Sequence, residues 1–596
     1  MSAPALPAAS RRARLEPNAF LWLLVAFSLA TLNAPADIWG TIDHLRVPDT
    51  DDAMRLVGVR DLVAGQGWFD NTWHRFLPPG GVPSHWSRLV DAPIAALDLA
   101  LAPLLGGRLA EGLAAVIWPW LLLGVFLAAL YRGVKASFGV RSAILAVLAA
   151  TQTFGIGLQF QAGRVDHHNV QMIAILGLAL CIVRGGLVAG LVGGGLSALS
   201  LAVGLEGLHF VVLGALYLAL DWVLSGRRAL PAFLGFGSGL GLACGPLFAV
   251  QTAPRLWTET ACDALSPPWL WLALGGGAAA LACAGLDRRL SSARARLAVA
   301  AACGGGVVTV FALLFPICLG GPYPYVTDLV RDRWMLTVNE MSSLSKFVAR
   351  GQWELLVFYP VLLLATLTAT WMACSGPRRR YWSVTALFLW PGMILGVVQF
   401  RGIYVATAFV PLVAGPLIDR ALTLAAERAA PAWRRWSAAG LGACLVSSVW
   451  MAPAALAEMV FPATRTAADP AGAVGCHSDA AVRPLAALEP GTVLAPIFMG
   501  PSILLRTPHA IVAAPYHRAI PGLTAAIEGL GGSEADLRRS VDSFGVRYLV
   551  ACPARPVDDL RGETAFATQL ARGEATAGWL EPVAVPGGLK VWRVVR

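Results

Sequence analysis

Charged residues are scarce in this sequence of 596 residues. They make up 14% of the chain, whereas soluble domains contain about 25%. Hydrophobic residues make up 57%, and the mean hydropathy is +0.63. This composition excludes both a soluble globular protein and an intrinsically disordered one, and it predicts an integral membrane protein.

The sequence also lacks the cysteine patterns of a zinc-binding or disulfide-dense protein. Its ten cysteines include no Cys-x-x-Cys pair, so spacing predicts neither a zinc site nor a disulfide scaffold. No internal repeat is visible. The formal net charge is +10, but most positive residues lie between apolar runs, which is typical of membrane topology and not of nucleic-acid binding. We therefore expect no nucleic-acid partner.

Apolar runs that could each cross a membrane occur thirteen times. A helix of about 20 apolar residues spans the roughly 30 Å hydrocarbon core. No obvious cleavage site follows the first run, so we interpret it as a retained anchor. The runs are 18–36, 111–131, 141–160, 169–184, 187–205, 208–223, 229–250, 267–286, 297–319, 353–374, 382–400, 403–418 and 436–455.

Positive charge predicts the orientation of these runs. Arg11, Arg12 and Arg14 precede the first run, which places the N-terminus in the cytoplasm by the positive-inside rule. Every loop that alternation then assigns to the cytoplasm is basic, and the odd number of runs leaves the C-terminal tail outside. We expect a multi-pass protein of a bacterial-type inner (cytoplasmic) membrane with a periplasmic C-terminal domain. The basic loops contain Arg132/Lys135/Arg141, Arg184, Arg227/Arg228, Arg288/Arg289/Arg294/Arg296, Arg378/Arg379/Arg380 and Arg420/Arg428/Arg434/Arg435.

The outer segments divide the chain into two predicted domains. Residues 1–456 form a transmembrane domain with large outer loops at 37–110 and 320–352, and residues 457–596 form a soluble periplasmic α/β domain. In the first loop, the apolar stretch 91–105 contains Asp91 and Asp98, so we interpret it as an interfacial helix. In the tail, short apolar runs predict strands at Thr492–Leu494, Val546–Ala551 and Leu589–Val595.

The tail contains two cysteines, Cys476 and Cys552. On the expected topology they face an oxidising compartment, where paired thiols become disulfides. We predict a bridge between them; the alternative is two buried thiols that never meet.

Two polar motifs indicate chemistry at the outer side. The first loop opens with Asp49-Thr50-Asp51-Asp52, which is either a solvated acidic turn or a site for a cation or a phosphate donor. The second outer loop reads Asp166-His167-His168-Asn169 between two apolar runs. That set is either a divalent-cation site or a hydrogen-bonded structural cluster.

Four further groups are weaker signals. Arg88 and the aromatic residues of the first loop either anchor it at lipid headgroups or bind an anionic lipid-linked substrate. Glu206 and His209 either support the second motif or simply end a helix, and Glu340 alone indicates nothing. Arg401 lies between two apolar runs, so it either snorkels to headgroups or pairs with a substrate phosphate.

Together these segments resemble the catalytic subunits of oligosaccharyltransferases, which are membrane glycosyltransferases of the GT-C fold. That family has thirteen spans, a cytoplasmic N-terminus and an outer C-terminal domain. The similar segments are Asp51 through Leu62, Arg75-Phe76-Leu77-Pro78-Pro79-Gly80, Ala162-Gly163-Arg164-Val165-Asp166-His167-His168, Thr337-Val338-Asn339-Glu340 and Arg401, within residues 18–420.

The resemblance implies roles for individual residues. Asp51, Asp166 and Glu340 would hold Mg²⁺ or Mn²⁺, with His168 as a further ligand that could favour Mn²⁺. Asp51 would also orient or deprotonate the acceptor, and Arg401 would bind the donor phosphate. Possible supporting residues are Asp49, His167 and Arg88.

The family's acceptor motif, Trp-Trp-Asp, is absent, because the tail contains only Trp579 and Trp592, far apart. We therefore expect transfer of a sugar or glycan from a polyprenyl-phosphate-linked donor, at the outer membrane face, to an acceptor that is a glycan, lipid or protein. The alternative is a transporter or flippase for an isoprenoid-linked saccharide, although transporters usually place charges near the bilayer midplane and contain repeats.

Overall fold

The computed structural model describes residues 23–24, 26–30, 37–427, 431–461, 475–553 and 564–595. The predicted anchor at 18–36 lies mostly outside these ranges. The helices up to the C-terminal segment are α1 Ile38–His44, α2 Thr50–Val63, α3 Arg88–Leu105, α4 Gly107–Phe138, α5 Val140–Thr151, α6 Phe154–Phe160, α7 His168–Arg184, α8 Leu187–Val203, α9 Leu208–Ser225, α10 Leu230–Gln251, α11 Pro267–Leu286, α12 Ala293–Leu314, α13 Asp328–Arg333, α14 Leu344–Ala349, α15 Tyr359–Ser375, α16 Arg379–Val398, α17 Ile403–Thr407, α18 Val410–Ala426, α19 Ala432–Cys444 and α20 Met451–Val460.

Seven helices in the described ranges are long and apolar enough to cross a membrane, or up to ten if each of three bent pairs is one span. The seven lie at α4, α9, α10, α11, α12, α15 and α16, and the pairs are α5 with α6, α17 with α18, and α19 with α20. The apolar helices α7 and α8 have 17 residues each. The predicted runs after the first all fall on these helices, and the total of thirteen spans stays a prediction.

The Gly-rich stretch at 185–195 allows two helices to pack backbone to backbone. A Cβ atom at Gly190 or Gly194 of α8 would lie 2.4 or 2.2 Å from a carbonyl oxygen of α10. The same holds for Gly235 and Gly239 of α10, whose Cβ atoms would lie 2.3 and 2.2 Å from carbonyl oxygens of α8. Small residues are common where helices meet in membranes, because they let the backbones approach closely. Dispersion contacts then hold the helices together, since the hydrophobic effect does not favour helix association in lipid.

The outer segments carry shorter elements. Helices α2 and α3 flank a hairpin of β1 Thr72–Trp73 and β2 Val82–Pro83, and α13 and α14 lie in the loop 320–352. Helix α3 includes the stretch 91–105 that we interpreted as interfacial, and it is not among the helices that qualify as spans in the described chain.

The C-terminal segment contains a mixed five-stranded sheet with helices around it. Its strands are β3 Thr492–Leu494, β4 Ala510–Ile511, β5 Tyr548–Ala551, β6 Leu580–Val583 and β7 Lys590–Val594. The order is β4-β3-β5-β7-β6, with β4, β3 and β5 parallel and the other two pairings antiparallel. The three predicted strands are confirmed as β3, β5 and β7. The helices are α21 Asp479–Val482, α22 Gly500–Arg506, α23 Ile520–Gly531, α24 Glu534–Ser543 and α25 Phe566–Arg572.

The first outer loop extends this sheet. Phe76 bridges Ile511 of β4 in parallel, with hydrogen bonds of 2.9 Å from the Leu77 amide to the Ile511 carbonyl and from the Ile511 amide to the Arg75 carbonyl. The Arg75 guanidinium also donates to the carbonyls of Leu504 and Thr507. The C-terminal segment is thus fixed against the loop that contains Asp51.

Two disulfides lie on segments that the predicted topology places outside. The predicted bridge Cys476–Cys552 is present, and a second bridge joins Cys262 to Cys318. The remaining six cysteines are free, and all of them lie on the apolar helices α7, α10, α11, α12, α15 and α19.

Candidate active site and metal centre

The two polar motifs form one site because the first loop binds the backbone of the second. Asp52 Oδ1 accepts hydrogen bonds from the amides of Val165 (2.8 Å) and Asp166 (3.0 Å). Arg164 Nη1 contacts Asp49 at 3.1 Å and Asp52 at 3.0 Å. Asp52 and Arg164 are buried, so the turn that carries Asp166 is held by charge-assisted bonds in a dry environment.

Asp166 lies at the centre of a buried ligand group at the start of α7. Its Oδ1 is 2.6 Å from His167 Nδ1, and its Oδ2 is 3.4 Å from His168 Nε2. Within the described chain, neither Asp166 Oδ2 nor His168 Nε2 has a hydrogen-bond partner. One ligand atom from each of the three residues lies within 4.8 Å of the others. An unsatisfied carboxylate oxygen that faces an unsatisfied imidazole nitrogen fits a shared cation.

Asp51 and Glu340 are half-buried and reach the site from two other segments. Tyr516 of the C-terminal segment donates a hydrogen bond to Asp51 Oδ1 at 3.1 Å, and Tyr404 donates one to Glu340 Oε1 at 3.1 Å. Among the described residues, neither carboxylate belongs to the close ligand group around Asp166. Both carboxyl groups nevertheless lie near enough to Asp166 for its charge to raise their pKa.

The mutual repulsion of these carboxyl groups would favour a bound cation. Burial raises the pKa of Asp51 well above its ordinary value, and the charges of Asp49, Asp166 and Glu340 raise it further. Burial, with Asp49 and Asp166, also raises the pKa of Glu340 against the opposing effect of Arg401. A divalent cation would remove this repulsion and keep the carboxylates ionised.

Arg401 is paired within the protein. Its Nη2 is 3.3 Å from Glu206 Oε1, and its Nε is 3.7 Å from Glu340 Oε2. The other oxygen of Glu206 is 3.2 Å from His167 Nε2. Burial acts to raise the pKa of Glu206, but His167 and Arg401 outweigh it and hold that pKa well below its ordinary value. A continuous chain of charges therefore runs from Asp166 through His167, Glu206 and Arg401 to Glu340.

Arg88 does not contact the candidate ligands directly. It pairs with Asp91 at 3.2 Å and donates to carbonyls and to a glutamine within its own loop. Asp91 pairs with Arg55 at 2.6 Å, and Arg55 lies 3.5 Å from Asp166. Arg88 thus supports Asp166 only through Asp91 and Arg55. Because the Arg88 side chain is buried and paired within its own loop, its contacts do not support a role as a headgroup anchor.

Four contributing residues were not singled out from the sequence: Arg55, Arg164, Tyr404 and Tyr516. Arg55 and Arg164 were visible inside the motifs, and a buried arginine beside several carboxylates is a recognisable signal. The tyrosines gave no signal, because Tyr516 is 465 positions from its partner Asp51.

No family model matches the chain, and no curated protein sequence matches it. Solved structures do. The archaeal oligosaccharyltransferase AglB of Archaeoglobus fulgidus, in complex with an inhibitory peptide and a dolichol-phosphate, is 13% identical and has a TM-score of 0.64, over 95% of this chain and 73% of that chain. The chain has the fold of the GT-C glycosyltransferases.

Two further solved structures are similar. The same archaeal enzyme in complex with Zn and sulfate is 12% identical, with a TM-score of 0.58 over 89% of this chain and 67% of that chain. ArnT from Cupriavidus metallidurans, bound to undecaprenyl phosphate, is 13% identical, with a TM-score of 0.43 over 97% of this chain and 98% of that chain. At these identities the likeness to the archaeal oligosaccharyltransferase establishes the GT-C fold and no more.

Proposed function

We propose that this protein is a glycosyltransferase of the outer face of a bacterial-type cytoplasmic membrane, with thirteen spans, a cytoplasmic N-terminus and a periplasmic α/β domain at 457–596. It transfers a sugar or glycan from a polyprenyl-phosphate-linked donor to an acceptor. The observation that supports the proposal is electrostatic: Asp51 and Glu340 interact with Asp166 and with Arg401, although the four residues come from separate segments of the chain. A lipid-linked donor is the class that fits this face, where nucleotide sugars are not available.

In the proposed reaction the bond between the anomeric carbon and the donor phosphate breaks, and a bond from the acceptor oxygen or nitrogen to that carbon forms. Asp51 is half-buried and takes the acceptor proton, while Tyr516 fixes the direction of its carboxylate. Arg401 binds the departing phosphate after one of its contacts to Glu206 or Glu340 opens. The polyprenyl phosphate or pyrophosphate leaves with its electron pair.

Asp51, Asp166, Glu340 and His168 would hold Mg²⁺ or Mn²⁺, which when bound neutralises charge on the leaving phosphate. His167 keeps Asp166 oriented through Oδ1, whereas His168 faces Oδ2. Glu206 orients His167 in turn, so the ligand geometry depends on residues that do not themselves bind the ion.

The test is transfer by purified full-length protein from an undecaprenyl-phosphate-linked hexose, with membrane glycans, lipids and proteins offered as acceptors and products identified by mass spectrometry. Chelation should abolish release of undecaprenyl phosphate, and Mn²⁺ or Mg²⁺ should restore it. Asp51→Asn should reduce the rate at least about 100-fold, the contribution expected of a general base. Glu340→Gln should also reduce the rate, because a proposed metal ligand is lost.

A matched control is Glu489→Gln, which removes an exposed carboxylate of the C-terminal segment and should leave the rate unchanged. Full transfer by Asp51→Asn would contradict the proposal. Movement of the intact lipid-linked sugar across vesicles, without cleavage, would instead favour the transporter alternative.

A further inference from the structure

A second group of metal-binding side chains lies outside the proposed catalytic centre. His85, Asp263 and His517 each offer one ligand atom, and these atoms lie within 4.8 Å of one another. His85 precedes α3, Asp263 lies between α10 and α11, and His517 follows β4. All three are half-buried, and they come together only because the C-terminal segment docks on the membrane domain.

Two members of the group are already in contact, and the ring of the third packs on one of them. His517 Nε2 lies 2.7 Å from Asp263 Oδ2. The ring of His85 packs against that of His517 with centroids 4.7 Å apart. Within the described residues, the nitrogens of His85 make no hydrogen bond, so they are available for a further contact.

The surroundings would hold such a site in place. Arg518 binds Asp263 through both its Nε and Nη2, each at 2.7 Å, which fixes the carboxylate and leaves lone pairs for a further ligand contact. The neighbouring Cys262 is bridged to Cys318, so the loop that carries Asp263 is cross-linked. Outer contacts of this kind orient metal ligands.

We propose that His85, Asp263 and His517 form a second divalent-metal site, selective for Zn²⁺, which joins the C-terminal segment to two outer segments of the membrane domain. Two imidazoles and one carboxylate are a ligand set that suits Zn²⁺ and leaves a fourth position for water or substrate.

Two tyrosines, Tyr516 and Tyr323, lie between this site and the proposed catalytic centre. Tyr516, which donates to Asp51, has its ring centroid 6.4 Å from that of His85. Tyr323 packs on His517 with ring centroids 4.7 Å apart, and the charge of Arg401 acts on its hydroxyl group. Zn²⁺ at this position would therefore fix two tyrosines, one that donates to Asp51 and one that lies near Arg401.

The experiment is Zn²⁺ and Co²⁺ titration of chelator-treated, full-length protein in detergent, followed by calorimetry and by the visible absorption of bound Co²⁺. We expect a site whose affinity falls in His85→Ala and in His517→Ala by more than the roughly 10–100-fold that loss of an outer contact costs. His168→Ala should retain this site, because His168 belongs to the catalytic centre. The result is thereby independent of whether the proposed glycosyltransferase activity is correct.

The matched control is His74→Ala, which removes an exposed imidazole of the same outer loop that pairs with Asp70 and should not change Zn²⁺ affinity. Peptide mapping of both disulfides reports whether each variant has folded. The proposal is overturned if folded His85→Ala and His517→Ala bind Zn²⁺ as tightly as the parent protein, or if the parent binds no Zn²⁺ beyond the amount that His168→Ala removes.

Discussion

At the scale of the residue, Arg164 has the most demanding position in the candidate site. Its guanidinium is buried among Asp49, Asp52 and Asp166, at distances of 3.1, 3.0 and 3.8 Å. Three carboxylates around one arginine leave the group short of positive charge. That shortage explains why the site fits a cation and why replacement of Arg164 should destabilise the protein.

We predict that Arg164→Met destabilises the protein by about 3–5 kcal/mol, because the removal of one partner leaves buried charges without compensation. Thermal unfolding in detergent measures it. Arg46→Met is the control: Arg46 forms an exposed pair with Asp37 at 2.9 Å, and such pairs contribute about 0–1 kcal/mol. Equal effects of the two substitutions would contradict the assignment of Arg164 as the centre of the charge cluster.

For Arg401, we predict that alanine weakens binding of undecaprenyl phosphate by about 2–5 kcal/mol, since a buried charge pair to the phosphate is lost. Lysine should restore only part of the affinity, because it has the charge but not the planar fork of arginine. Equilibrium binding in detergent decides it. If Arg401→Ala binds the lipid normally, the arginine serves only to neutralise Glu206 and Glu340.

At the scale of the element, the sequence predicts the position of the apolar helices well. Hydrophobic run length is a local property, and the run 267–286 coincides with α11 for that reason. The bends are harder to predict. Helices α5 and α6 meet at 70°, where the run 141–160 indicates one straight span, because the interruption at Gln152 and Thr153 is too short to alter the hydropathy.

The candidate site was predictable as a set of motifs but not as a network. Asp51 and Asp166 stand out in polar motifs beside apolar runs, where charged residues are costly, and Glu340 is recognised only through the family resemblance. Their partners do not: the contact between Arg401 and Glu206 joins the end of one helix to a loop almost two hundred positions away in the sequence. The group of His85, Asp263 and His517 was missed for the same reason, since its members come from three distant segments.

The disulfide Cys476–Cys552 provides a prediction about the C-terminal sheet. It closes a segment of 76 residues between the start of the described C-terminal segment and the end of β5. The chain-entropy model assigns about 4 kcal/mol to such a closure. We predict that the double variant Cys476→Ser/Cys552→Ser loses about this much stability. The free energy of unfolding of the C-terminal segment is measured in denaturant and followed by tryptophan fluorescence.

The free cysteines give the control for this prediction. Cys444→Ser removes an unbridged thiol of α19 and should change stability by less than about 1 kcal/mol, as most substitutions away from tightly packed cores do. Non-reducing peptide mapping should show the 476–552 cross-link in the parent protein. Unchanged stability of the double variant would show that the bridge is not formed in the native protein.

At the scale of the whole molecule, the cysteines agree with the predicted division of the protein into two sides. The predicted topology assigns the basic loops to one side and the proposed catalytic residues to the other. Both disulfides join segments of the second side, whereas the described free cysteines lie on apolar helices. Because disulfides persist in oxidising compartments, this division agrees with the orientation predicted by the positive charges.

The orientation leads to the last prediction, which uses single cysteines in a variant whose six free cysteines are replaced by serine. Glu574→Cys places a thiol on an exposed position of the C-terminal segment, and Arg228→Cys places one on a basic loop. A membrane-impermeant maleimide should label Glu574→Cys in intact spheroplasts and should label Arg228→Cys only after permeabilisation. The converse pattern would place Asp51 and Glu340 in the cytoplasm, where nucleotide sugars are available. A lipid-linked donor would then no longer be required, and Arg401 would have to bind the phosphate of a soluble donor instead.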